Sequence, residues 1–136
     1  MASWNKIQGF VGYLGLGGVN LNTDTIKAYF SNATPSASAD DVKGDLAEIT
    51  QEHGYTAPAD TQNTYSESAG TGTLAMTDIT TTASGGSFGP FQYIAHYDDT
   101  HASDILLGWY DYGSALTVND GESFTEDFGA SQSTLV

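Results

Sequence analysis

Cysteine is absent from these 136 residues, and so is arginine. The first absence excludes a disulfide framework and a thiolate metal site, leaving packing and backbone hydrogen bonds to hold the fold together. The second leaves Lys6, Lys27 and Lys43 facing 17 Asp and Glu, a formal charge of −14. Direct contact with nucleic acid is disfavoured by that balance, because affinity for phosphates rests on basic side chains that displace counterions. An anionic membrane surface is disfavoured by the same sign, whereas a positively charged partner, or plain solubility, fits it. No apolar run approaches the roughly 18 residues of a membrane span, and no basic, apolar leader opens the sequence. Function in a cytoplasm, or in something assembled there, is the expectation.

What is present is aromatic. Eight Tyr, six Phe and two Trp within a 39% apolar composition supply large core-forming groups, and the length suits one domain. Trp4, Ile7, Phe10 or Val11, and Leu14 fall at helical spacing behind Ser3, a candidate N-cap. Gly9, Gly12 and Gly15 each cost about 1 kcal/mol relative to alanine inside a helix. Residues 1–22 are therefore expected to form an N-terminal arm, partly helical and ending by Gly17-Gly18, ahead of a single β-domain over 23–136.

In that domain the period changes to two. Ile26, Ala28 and Phe30 alternate with Thr25, Lys27 and Tyr29 as a half-buried strand. SNATPSASADD, residues 31–41, is a surface loop, and Thr56 to Gly72 is a long excursion or a pair of exposed edge strands with few apolar anchors apart from Tyr65. FQYIAHYD alternates again. ILLGWYDYG suits the middle of a sheet buried on both faces, and Leu116 to Phe128 around Asn119-Asp120-Gly121-Glu122 predicts a β-hairpin. The fold class expected is all-β, an antiparallel sandwich or jelly-roll-like barrel.

Candidates for chemistry are sparse. His53, His96 and His101 fall in no hydrolase or metalloprotease pattern, and a structural or solvated role is favoured for each. Asp98, Asp99 and Asp104 with His101 form the densest group of oxygen ligands, but the spacing misses the EF-hand and a solvated loop is favoured. The runs at Gly15 to Asn20 and Ser84 to Ser87 lack the Lys-Ser or Lys-Thr ending of a phosphate loop. No catalytic residue, cofactor or metal is expected. Phe88, Phe91, Tyr93, Tyr97, Trp109, Tyr110 and Tyr112 are too many for one core face, which makes Tyr93, Tyr97, Tyr110 and Tyr112 candidates for an outward aromatic surface.

Three segments, SWNKIQGFV at the start, TASGGSFGPFQYIAHYDDT, and LLGWYDYGSALTVNDGESFTEDF, resemble in content and order a family of small virion proteins of tailed bacteriophages and prophages; the middle third of the chain matches least. The resemblance implies a structural protein of the head, a decoration or cement protein outside an icosahedral shell. Its partners would be the major capsid protein and neighbouring copies of itself, as a homotrimer, with assembly in the host cytoplasm. Two departures stand out, Gln92 where the family carries arginine and Glu126 where it carries an apolar residue, both expected to add to the acidic surface. On this reading Trp4, Ile7, Phe10 and Tyr13 of the arm order against a capsid subunit or a neighbouring copy. A tail or neck component, or a carbohydrate-binding attachment module, are the alternatives.

Overall fold

The computed structural model describes residues 3–128; residues 1–2 of the expected arm and 129–136 of the expected β-domain lie outside that range. The elements in order are β1 (Ser3–Lys6), α1 (Gln8–Gly15), β2 (Ile26–Ser31), a 3-10 turn (Lys43–Asp45), β3 (Ala59–Asp60), β4 (Thr64–Ser68), β5 (Thr71–Ala75), β6 (Ile79–Thr82), β7 (Phe88–Asp98), β8 (Ile105–Val118) and β9 (Ser123–Glu126). The fold is all-β with a short helical piece near the N-terminus, as the alternating pattern predicts. Five strands form an antiparallel sheet in the order β1-β8-β7-β2-β3, and β4-β5 and β6-β9 form two ribbons. The edge strands β1 and β3 do not pair with each other, so the architecture is an open, sandwich-like one and not a closed barrel.

Both faces of the main sheet are covered, which is why its central strands carry so many aromatic and β-branched residues. Tyr29 pairs across β2-β7 with Ala95 on one face, and Phe30 with Ile94 on the other. The first core holds Ile7, Phe10, Val19, Leu21, Leu74 and Trp109 among others. The second is built on Phe30, Tyr55, Phe88 and Phe91, whose rings stack with centroids 4.4–5.9 Å apart around Phe30. The half-buried reading of β2 is thereby corrected: Tyr29 is as fully enclosed as Ile26. The ILLGWY start of β8 is buried throughout, as its apolar run predicts.

Two further expectations change. The turn at Asn119 to Glu122 forms, closed by the Glu122 N–H donating to the Asn119 carbonyl at 2.8 Å with Gly121 at φ +85°. It does not join a hairpin, because β9 pairs with β6, from Ile79↔Glu126 to Thr82↔Ser123. Ala83 draws the chain across by exchanging backbone hydrogen bonds with Gly121 and Glu122. Residues 3–22 likewise do not stand apart: β1 joins the main sheet, and Ile7, Phe10, Val19 and Leu21 enter its first core. β1 adds to the edge of β8 in the register Trp4↔Tyr110 and Lys6↔Gly108, so Ser3 opens a strand and does not cap a helix. The Ile7 N–H continues the ladder to the Leu107 carbonyl at 2.9 Å. Helix α1 then lays Phe10 into the first core, and Gly9 leaves the room in which the Asp41 carboxylate approaches the helix.

Candidate interaction surface

The sequence Tyr13-Leu14-Gly15-Leu16-Gly17-Gly18 ends α1 in a defined way. Gly17 adopts φ +80°, a conformation glycine reaches without penalty. The Gly18 N–H then donates back to the Tyr13 carbonyl at 2.8 Å and the Gly17 N–H to that of Leu14 at 3.3 Å, a Schellman closure. Turning the chain here leaves Leu16 outside, 91% exposed. Val19 and Leu21 turn back into the core, with exposed Asn20 between them and exposed Asn22 after them.

The loop that follows is fixed by amide side chains. Asn20 Oδ1 accepts the N–H groups of Asn22 and Thr23, and the Asn20 N–H donates to Asp24 Oδ2 at 2.9 Å. Asn63 Nδ2 donates to the carbonyls of Leu21 (2.7 Å) and Asp24 (3.1 Å), while its Oδ1 accepts the Ile26 N–H. Asn63 immediately precedes β4 and so ties that ribbon to the loop. Tyr65, two residues on, lies across Gly72 of β5, filling the space that a side chain there would occupy. The β4-β5 turn places Ala69 and Gly70 both at positive φ, as a two-residue type I′ hairpin requires. Between these walls lies an open groove of about 280 Å³, lined by Leu14, Gly17, Val19, Leu21 and Tyr65 with Asn20 and Asn22.

Among the described residues the large apolar side chains most open to solvent are Leu16, Val11 (49%) and Tyr65 (36%). Leu16 lies between two lining residues, Tyr65 is itself a wall, and Val11 sits one turn before Leu14 on α1. The surrounding charge is negative: Asp24 is bound to the rim at Asn20, and exposed Glu67 stands two positions from Tyr65 on the same ribbon face. Two of the three lysines are engaged elsewhere. Lys27 pairs with Asp99 at 3.1 Å, and Lys43 pairs with Glu48 at 3.2 Å while its ammonium stands 4.7 Å from the centre of the Tyr29 ring.

Of the residues singled out from the sequence, few reach this surface. Ile7 and Phe10 are 1% and 0% exposed, because β1 and α1 dock on this chain's own sheet; Trp4 and Tyr13 are half-buried. Trp4 lies over Gly108, and Tyr13 donates to Asp41 Oδ2 at 3.3 Å and meets His101 edge-on. The outward aromatic surface is also corrected. Tyr93, Tyr97 and Tyr110 are buried and Tyr112 half-buried, since β7 and β8 lie inside the sheet with both faces covered. Burial raises the Tyr97 and Tyr112 hydroxyls well above the ordinary range and that of Tyr110 to about 12.

No family model, curated protein or solved structure matches this chain. The remaining candidates are therefore judged on their geometry. Asp98, Asp99 and Asp104 do not converge, and no group of three metal-ligating side chains does so among the described residues. Asp98 closes β7 pointing inward, its Oδ1 accepting the N–H groups of Thr100 and His101, while Asp99 turns out to Lys27. Burial, then the neighbouring Asp24 carboxyl, raises Asp98 to about 7.

Gln92 and Glu126, both expected to add to the acidic surface, separate. Gln92 Nε2 donates to Asp111 Oδ1 at 3.1 Å, whereas Glu126 adds nothing to the surface, being fully enclosed against His96. His53 Nδ1 lies 2.8 Å from the Ser87 carbonyl oxygen, in the loop that Gly86 keeps open for its ring. The groove itself escaped the sequence reading. Its signals were a leucine isolated among glycines at Leu16 and a lone aromatic, Tyr65, in a Thr/Ser-rich stretch.

Proposed function

We propose that this chain is a structural protein of a bacteriophage particle, a decoration protein that binds the outside of the head and stabilises the shell by contact with its subunits. The observation carrying this reading is where the three phage-like segments fall. SWNKIQGFV supplies β1 and the start of α1, TASGGSFGPFQYIAHYDDT supplies β7, and LLGWYDYGSALTVNDGESFTEDF supplies β8 and β9. β1, β8 and β7 are consecutive in the main sheet, so most of the resemblance follows three neighbouring strands, while β9 lies in the separate β6-β9 ribbon.

Contact alone gives such a protein its effect. Binding the assembled shell and not the free subunit lowers the free energy of the assembled state by mass action. With a formal charge of −14 and two of three lysines paired within the chain, copies repel one another in solution. A shell that presents basic residues offsets that repulsion and steers association. The test is quantitative mass spectrometry of particles purified from the phage that encodes the chain. A copy number in fixed proportion to the major capsid protein supports the proposal; a few copies per particle point to the tail or neck, and absence from particles refutes it.

A further inference from the structure

We infer that the groove between α1 and the β4-β5 ribbon is a docking site for a partner segment that presents one or two aliphatic side chains flanked by lysine or arginine. The inference deepens the reading above, and rests on it in taking the partner to be a protein surface. The groove's floor comes from Val19 and Leu21, both 3% exposed and held by the core beneath them, so the concavity belongs to the packed fold. Its walls are pinned by the Schellman closure at Gly17-Gly18 and by the three Asn63 hydrogen bonds, which leave the site preformed. A preformed apolar cleft loses little ordering entropy when it is filled. The volume of about 280 Å³ suits one or two aliphatic side chains and is too small for a whole helix face.

Charge complementarity selects what flanks those side chains. Asp24 accepts the N–H of the lining residue Asn20, and exposed Glu67 lies two positions along β4 from the lining residue Tyr65, while Lys27 and Lys43 are neutralised by Asp99 and Glu48. An acidic flank would meet like charge at the rim, whereas a basic flank gains attraction as the apolar side chain leaves water. Leu16, 91% exposed beside the groove, extends the apolar contact beyond the cleft. A second copy of this chain is the poorer occupant, since any surface segment it offers is drawn from the same acidic composition.

The probe is the peptide Ac-Lys-Lys-Leu-Val-Lys-Lys-NH2, titrated into the isotopically labelled full chain and followed by amide chemical shifts. Saturable shifts are expected at Gly17, Val19, Leu21, Asn22 and Tyr65. Affinity should fall about tenfold or more when the peptide lysines become glutamates, or when its Leu and Val become serines. Tyr65→Ser and Glu67→Lys, both at exposed positions, should each weaken binding without unfolding the chain. Equal binding by the glutamate peptide or the serine peptide would overturn the inference, as would shifts that never saturate or that map away from the groove. If the peptide fails while the chain is found in particles, the docking site is wrong and the particle reading stands. The converse outcome leaves the groove and removes the phage.

Discussion

His96 Nε2 and Glu126 Oε2 stand 2.9 Å apart with both side chains sealed from solvent, joining the interior of β7 to the last strand of the β6-β9 ribbon. Tyr110 and Phe128 pack on the imidazole at 5.5 and 5.4 Å, and among the described residues neither His96 Nδ1 nor Glu126 Oε1 has a further partner. Removing one member leaves the other buried and unpaired. Glu126→Leu or His96→Phe alone is expected to cost about 3–5 kcal/mol, whereas the double variant should recover most of that loss. Urea denaturation of the four proteins checks this; a double variant as unstable as the sum of its parts would show the pair to be uncoupled.

Stability should fall as pH rises through neutrality. Burial raises Glu126 above its ordinary 4.5, and Asp98 goes from 3.8 to about 7. Across that interval the folded protein keeps protons that the unfolded chain has released. The stabilisation is complete below about pH 4 and is lost as pH climbs through the folded-state values. Asp24, lowered by its hydrogen bond to Asp98, acts in the opposite sense at the acid end of the range. Asp98→Asn preserves an oxygen for the Thr100 and His101 N–H groups and has no proton to lose. Its melting temperature should exceed that of the wild type at about pH 8 and depend less on pH.

Gly108 is where the N-terminal strand meets the sheet. A methyl group there would collide with the Asn5 carbonyl and the Trp4 ring. Gly108→Ala is therefore expected to cost about 1–3 kcal/mol and to push β1 off β8. Hydrogen exchange should show lost protection at Ile7, and Trp4 fluorescence should shift to the red. Unchanged protection would mean that the edge strand tolerates the intrusion.

Asn63→Ala removes three hydrogen bonds from the junction of the 20–25 loop and β4. A cost of about 1–3 kcal/mol is expected, since the Ile26 N–H and the Leu21 carbonyl each lose a partner. Faster exchange at Ile26 and a displaced Tyr65 amide resonance would place the effect at the groove wall. A loss of stability with both signals unmoved would put it elsewhere.

The sequence declared the frame better than the surface. Period-two alternation and apolar runs located β2, β7 and β8, because burial on the sheet leaves a local pattern that neighbouring residues share. The glycine pair at 17–18 ended α1 where expected, since a left-handed closure depends on one residue's backbone freedom. What failed was long-range. Trp4, Ile7 and Phe10 have the spacing of an amphipathic helix, but Gly108 offers β1 a slot on β8 and the strand wins. Tyr93, Tyr97 and Tyr110 read as surplus to one core face; the fold buries them by covering both faces of the sheet. Glu126 looked like surface charge until β9 crossed to β6 and set it against His96. The groove was the least legible feature, for Leu14, Leu21, Asn63 and Tyr65 meet through tertiary contacts that no local period records.

The most direct measurement is add-back to particles assembled without this protein, followed by sedimentation and counting of bound copies. Wild-type chain is expected to saturate at a fixed ratio to the major capsid protein, to release as salt is raised, and to raise the temperature at which the shells open. Tyr65→Ser and Glu67→Lys should bind less tightly to the same number of sites. Failure of the folded wild-type chain to bind such shells, or binding that neither saturates nor stabilises them, would contradict a role exerted through contact.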